Sequence, residues 1–310
     1  MRKRFEFAVA TPEEVVAGAA LFEQAFGVAV DPALWRRKYF ENPAGTVICF
    51  VAKDKGKVVS FASLHPAVFV KASERAVLYQ YGDAMTAPSC RGQGLYSALK
   101  EISRDWLLKA GVPLTFSFPN ADTLTISRKL GYATLGFMTR WVKPVPPFHG
   151  KCVDGVDEVA LDDERLVAAA LIATHAAGTA AVRGKGFFAW RYGDRGRAWL
   201  TRDGDAYAIT TSSPRGVWIR DLGIAPRRQG AFRFICRALT TFAAARGVRH
   251  ISYARLGTSY RAELLINGFV PVARGAVVMA RVITAAGQDW ARQPGWHLTD
   301  ADRDIDTRRF

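Results

Sequence analysis

The residues best suited to chemistry lie in one short run, Arg91-Gly92-Gln93-Gly94-Leu95-Tyr96. Glycines at alternate positions let a backbone adopt positive φ and come close to a ligand. The arginine beside them offers a charge-assisted contact to an anion. Behind the run, Leu95, Leu99, Ile102 and Trp106 recur at spacings of three and four, the apolar face of a helix. The first N–H groups of a helix have no internal partner, and with the helix dipole they favour phosphate. Ahead of the run, Val77 to Thr86 is apolar, aromatic and bounded like a strand. The unit is strand, tight loop, helix. Short glycine motifs are weak signals alone, so two readings stand: a phosphate cradle, or an ordinary turn with an exposed arginine.

The run resembles the Arg/Gln-x-x-Gly-x-Gly/Ala signature of the GNAT acyltransferase superfamily. Pro88, three residues before Arg91, also fits that pattern, whereas Tyr96 stands where Gly or Ala is usual. The resemblance implies that the loop holds the pyrophosphate of acetyl-CoA and that the preceding strand, splayed from its neighbour, pairs with the pantetheine arm. Carried over residue by residue, the acetyl-CoA contacts are Met85, Thr86, Arg91, Gly92, Gln93, Gly94, Leu95, Tyr96 and Asn120. Downstream, Gly111 stops the helix, Leu114 to Phe118 reads as a strand, and Leu124 to Leu130 as a short helix ending in Gly131-Tyr132. That segment is similar to the second cofactor segment of the family. Ser127 stands four before Gly131, where many members carry a tyrosine acid, so that acid is not carried over.

The implied chemistry is direct attack by an amine on the thioester carbonyl. It needs a base for the amine, a donor for the developing oxyanion and an acid for the thiolate. The family's oxyanion donor is a backbone N–H of the strand before the loop, here near Met85 or Thr86. Asp83, on that strand, is the base candidate, with His65 behind it. Asp83 has a counterpart in Asp221, which leaves a structural role equally open. Tyr79, Tyr81 and Tyr96 are the acid candidates, and spacing singles out none of them.

These residues need a frame. Phe5 to Val9 reads as a strand, and Thr11 with Glu14 as a capping box with Pro12 at the first helical position. Leu34 to Tyr39 reads as an amphipathic helix packing Trp35 and Tyr39 inward. Thr46 to Ala52 and Lys57 to Leu64 make a hairpin around Asp54-Lys55-Gly56, with His65 ending its second strand. Val68 to Val70 and Arg75 to Thr86 complete the meander, and Phe137 to Val142 is the closing strand. The fold class expected is α+β: two tandem GNAT-like domains, each a mixed, mostly antiparallel sheet flanked by helices.

The second copy is legible as a repeat. Proline-rich Lys143 to Gly150 marks a boundary. Beyond it Phe187 to Tyr192 echoes Leu34 to Tyr39, and Asp221 to Pro226 echoes Asp83 to Pro88. Arg227 to Phe232 echoes Arg91 to Tyr96, and Gly247 follows Arg227 by twenty residues, as Gly111 follows Arg91. Asn267-Gly268-Phe269 echoes Leu130 to Tyr132. The second loop is two residues shorter, has Arg228 where the first has Gly92, and lacks an equivalent of Asn120. The expected units are 1–145, carrying the intact acyl-CoA loop; 151–283, degenerate; and a docking tail, 284–310, anchored by Trp290 and Trp296.

Composition bounds the function. The chain has 310 residues, of which 49% are hydrophobic, enough for two cores. Four scattered cysteines, Cys49, Cys90, Cys152 and Cys236, fit reduced thiols rather than a disulfide framework or a zinc site. The basic Met1 to Arg4 is followed by Glu6, Glu13 and Glu14 rather than an apolar leader, and no later run reaches a membrane span, so a soluble cytoplasmic protein is expected. The net charge of +15 suits anionic partners, CoA or nucleic acid, but the basic residues do not cluster. Alternating aspartates at Asp300, Asp302, Asp304 and Asp306 lack the glycine and glutamate of a calcium loop, and no metal is expected. Three functions are weighed: N-acyltransfer from acetyl-CoA (or a longer acyl-CoA) to a small-molecule amine; a non-catalytic CoA-binding or regulatory module; and a transferase using aminoacyl-tRNA.

Overall fold

The computed structural model describes residues 5–147, 154–176, 178–257, 259–292 and 295–303. Met1 to Arg4, Cys152, part of the 143–150 boundary, and Asp304 and Asp306 of the aspartate run lie outside them.

The N-terminal half runs β1 (Glu6–Val9), α1 (Pro12–Phe26), α2 (Pro32–Phe40), β2 (Ile48–Asp54), β3 (Lys57–Lys71), β4 (Glu74–Thr86), α3 (Leu95–Lys109), β5 (Leu114–Ser117), α4 (Ala121–Lys129) and β6 (Ala133–Pro144). The second half runs β7 (Val156–Val159), α5 (Glu164–Ala176), β8 (Thr179–Ala181), α6 (Phe187–Tyr192), β9 (Arg197–Thr201), β10 (Ala206–Ser213), β11 (Gly216–Ile224), α7 (Phe232–Ala244), β12 (His250–Leu256), α8 (Arg261–Ile266) and β13 (Val270–Val282). The chain then adds α9 (Gly287–Ala291) and β14 (Trp296–Thr299).

Local chemistry sets these elements. The capping box at α1 forms: the Thr11 hydroxyl accepts from the Glu14 N–H, and the Glu14 carboxylate accepts from the Thr11 N–H. Asp31 caps α2, with Pro32 at its first position. Trp35 and Tyr39, one turn apart, are both buried, as the amphipathic reading expects. The Trp35 indole donates to the Val15 carbonyl at 2.9 Å, which fixes α2 to α1.

One strand differs from expectation. Lys57 to Lys71 is a single strand, not two, and His65 does not end it. β2 stops opposite Leu64, so the edge that Pro66 leaves without a donor has no ladder to break. The Asn42 side chain bonds the Pro66 carbonyl on that edge instead.

The two halves share one sheet, in the order β1-β2-β3-β4-β5-β13-β6-β12-β11-β10-β9-β7. Its centre is interleaved. β13, from the second half, lies antiparallel between β5 and β6, and β6, from the first, lies antiparallel between β13 and β12. Each half is therefore completed by the other's last strand. A core of Phe69, Phe116, Val278, Trp290, Trp296 and Leu298 spans this junction. At about 1.5–3 kcal/mol for each large apolar side chain buried, it welds the halves together.

Two openings in the sheet position the chemistry. β4 and β5 pair in parallel only at Tyr79↔Thr115 and Gln80↔Phe116, then part. β11 and β12 pair in parallel from Val217↔Ile251 to Ile219↔Tyr253, then part likewise. Each opening has a β-bulge beside it. In β4, Asp83 and Ala84 stand opposite Ala62 alone, and Asp83 takes φ +47°. In β11 the register shift falls next to Asp221.

Candidate active site

The opening between β4 and β5 holds a cleft of about 220 Å³. Phe22 and Phe26 of α1 form one wall, Tyr81 to Ala84 of β4 another, and Tyr96 of α3 the third; Ser117 to Asn120 and Thr123 close it. The Tyr81 and Ser117 hydroxyls are buried and find no hydrogen-bond partner among the described residues. Burying a hydroxyl unpaired costs about 1–3 kcal/mol, so two groups at this cleft are set for a polar ligand.

At the mouth lies the 91–96 loop. Gly92 and Gly94 have φ +74° and +78°, the left-handed region that a side chain strains to adopt. A Cβ added at either would meet nothing within 4 Å among the described residues, so open space lies before the loop. Among those residues no side chain caps α3 at Gly94, which leaves its first N–H groups open. Arg91 is exposed; its guanidinium donates to the Ala25 carbonyl at 2.8 Å and the Thr86 carbonyl at 3.4 Å, fastening the loop to α1 and β4. Leu95 is buried beneath the loop, while Gln93 is exposed.

The strand before the loop divides its backbone groups between β3 and the opening. The Ala87 N–H bonds the Val59 carbonyl, so Ala87 faces β3. Backbone groups alternate sides along a strand, so Met85 also faces β3, whereas Thr86 turns its N–H toward the cleft side. Asn120 caps α4, its Oδ1 accepting from the Thr123 N–H at 3.0 Å and the Thr123 hydroxyl at 2.9 Å, and its residue lines the cleft.

Asp83 is the hub of a buried network. Its Oδ1 accepts from Lys38 Nζ at 2.7 Å. Its Oδ2 accepts from the Tyr39 hydroxyl at 2.6 Å and the Ser63 hydroxyl at 3.2 Å, and lies 3.1 Å from His65 Nε2. Burial alone would raise the Asp83 pKa, but Lys38 and His65 outweigh it and hold the carboxyl well below the ordinary range. Lys38 sits on the inward face of α2 with Trp35; a lysine on a face otherwise marked as core was the signal for it.

A second buried cation lies on the other side of Tyr81. Lys100, one turn beyond Tyr96 on α3, sits over the rings of Tyr132, Tyr81 and Tyr96, at 3.6, 4.6 and 5.5 Å from their centroids. It donates to the Ser127 hydroxyl at 3.1 Å, which lies 3.4 Å from the Tyr96 hydroxyl. Burial lowers its pKa to about 7, with Arg281 pushing the same way and Glu101 opposing. A polar residue one turn from Tyr96 on an apolar helix face was its only trace in the sequence.

Among the described residues, the equivalent opening in the second half is filled. Its loop tightens into a 3₁₀ turn at Gln229–Ala231, and Arg227 rather than a glycine takes positive φ. β14 pairs with β12 at Arg255↔Thr299 and Leu256↔Leu298, inside the opening between β11 and β12. The Tyr260 hydroxyl bonds the Ile224 backbone across it. What remains around Asp221 is a cavity of about 10 Å³ lined by Arg183, Tyr207, Tyr260 and His297. Asp221 pairs there with Arg183 at 2.8 Å, and Asp302 pairs with the same guanidinium. Among the described residues no cluster suits a metal, and no helix is long and apolar enough to cross a membrane.

Residues 6–135, which build this cleft, match the family model of the acetyltransferase (GNAT) domain. The N-terminal half carries the fold of that domain. No curated protein matches the sequence. Among solved structures, a GCN5-related N-acetyltransferase from Anabaena variabilis aligns with a TM-score of 0.71 at 18% identity, over 91% of this chain and 73% of its own. Eis1 from Mycobacterium abscessus aligns with a TM-score of 0.63 at 14% identity, over 93% and 76%. A tandem GNAT protein from the clavulanic acid biosynthesis pathway aligns with a TM-score of 0.58 at 15% identity, over 91% and 99%. At such identities the likeness is one of fold, and it covers both halves: the chain is a tandem GNAT fold.

Proposed function

We propose that the chain transfers an acetyl group from acetyl-CoA to a primary amine in the cleft of the N-terminal GNAT domain, and that the second half binds no acyl-CoA. The observation that carries this is the contrast between the two openings: about 220 Å³ beside a glycine loop in one, about 10 Å³ behind β14 in the other. The phosphates lie on the uncapped end of α3 at Gly92, Gln93 and Gly94, and the arm of the thioester runs along Thr86 into the cleft. The thioester oxygen takes a hydrogen bond from the Thr86 N–H, which strengthens as the oxygen gains charge. The aromatic walls, Phe22, Phe26 and Phe118, suit an amine on an apolar body.

The amine must lose a proton as it attacks. Asp83 alone, held far below the ordinary range, is a weak base. Its network supplies what it lacks: His65 Nε2 lies 3.1 Å from the carboxylate Oδ2 and shares the proton that Asp83 receives. The test is CoA release from acetyl-CoA by the full chain, offered primary amines on aromatic and aliphatic bodies. Acceptor-dependent release that is lost in Asp83→Asn and Gly94→Trp supports the reading. Acetyl-CoA binding without release to any amine favours a binding module instead.

A further inference from the structure

We propose that the leaving thiolate of CoA is protonated by Tyr96, which draws its own replacement proton from Lys100 through the Ser127 hydroxyl. The inference rests on the acyl-transfer reading above. Three observations on the geometry carry it. Tyr96 lines the cleft, and its hydroxyl meets Ser127. Ser127 in turn accepts from Lys100, which is almost wholly buried and takes no part in the anion loop or the Asp83 network. Among the described residues no carboxylate holds Lys100 as Asp83 holds Lys38; three aromatic rings do. Burial without a carboxylate partner, which the ring faces and one hydroxyl offset only in part, disposes the ammonium to give up its proton.

The surroundings fit that task. Tyr81 comes from β4, Tyr96 from α3, Ser127 from α4 and Tyr132 from the turn after α4. Among the described residues, the charged groups that act on Lys100 are Arg281 of β13 and Glu101 of α3, paired with each other at 2.7 Å. Arg281 disfavours a second cation at Lys100, and burial does so more strongly. Tyr81 also lines the cleft, but its hydroxyl has no partner among the described residues, hence no proton source. Tyr79 packs on Trp106 and does not line the cleft.

The step balances. The amine nitrogen forms a bond to the carbonyl carbon, and the C–S bond breaks with its electron pair on sulfur. Sulfur takes the Tyr96 proton, Ser127 passes its proton to the Tyr96 oxygen, and Lys100 gives one to Ser127 and becomes neutral. The proton lost by the amine leaves on the Asp83 side, and Lys100 is recharged from solvent when the site opens.

The test uses bound CoA itself and needs no acceptor. The ionisation midpoint of the bound thiol is followed by thiolate absorbance across pH, in the wild type and in Tyr96→Phe, Ser127→Ala, Lys100→Met, Lys100→Arg and Tyr81→Phe. A hydroxyl donor, and a lysine that the thiolate itself helps to keep protonated, favour thiolate, so Tyr96→Phe and Lys100→Met should raise the midpoint by about one unit or more. Ser127→Ala, which cuts the link and leaves both ends in place, should raise it too, while Lys100→Arg retains part of the effect. Tyr81→Phe should leave it unchanged. Identical midpoints in the wild type, Tyr96→Phe and Ser127→Ala would overturn the relay while leaving the acyl-CoA site standing. Failure of CoA to bind the wild type would overturn both.

Discussion

Asp83 and Asp221 hold equivalent places in the two halves, each five residues before a proline and each beside a β-bulge, yet only Asp83 faces an open cleft. Around Asp221 the space has shrunk to about 10 Å³, because β14 and Tyr260 fill the opening that β4 and β5 keep clear. Both aspartates are buried and paired with a cation, Lys38 in one half and Arg183 in the other. The pairing is shared; the access is not.

That pairing has a stability consequence. Lys38→Met leaves the buried Asp83 without its cation and should cost about 3–5 kcal/mol, read from the urea midpoint. Replacing both partners, Lys38→Met with Asp83→Leu, should recover most of the loss. The pH dependence follows from the depressed Asp83 carboxyl. Its contribution is full above the ordinary value of 3.8 and is lost only as pH falls below that. The stability gap between wild type and Asp83→Asn should therefore be flat at neutral pH and close in strong acid.

Lys100 behaves in the opposite sense. Its folded value of about 7 lies below the ordinary 10.5. Between the two, the unfolded chain holds a proton that the folded chain does not, so raising the pH stabilises the fold. The slope reaches at most about 1.4 kcal/mol per pH unit. Lys100→Met lacks this dependence, so unfolding free energies of the two proteins, measured from pH 7 to 10, should converge as pH rises.

Trp296 anchors β14. It packs on Phe69 and Phe116 and its indole donates to the Trp290 carbonyl at 2.9 Å. Trp296→Ala should cost about 3–5 kcal/mol by opening a cavity in the junction core. A calorimetric melt that falls by only a degree or two would contradict the role given to this strand.

The sequence carried the loop, the repeat and the α+β tandem fold, because glycine spacing, capping chemistry and strand alternation are local. It placed Asp83 and His65 on adjacent strands but not in contact, since their meeting depends on the β3–β4 register and its bulge. Lys38 and Lys100 show in the sequence only as lysines on apolar helix faces; burial is what sets them apart from surface lysines. The exchange of β6 and β13 was out of reach as well. Either strand satisfies the same alternating pattern in its own half or in the other, and the choice rests on long-range pairing.

The central claim, one acyl-CoA site in the N-terminal half, is tested most directly by calorimetric titration of acetyl-CoA into the wild type, Gly94→Trp and Gly230→Trp. Gly94 has positive φ and open space before it, so a tryptophan there strains the loop and covers the space proposed for the phosphates. Gly230 also faces open space but needs no positive φ, and that variant should fold and bind normally. The account predicts one site per chain, lost only in Gly94→Trp. Two sites, with each variant losing one, would contradict it.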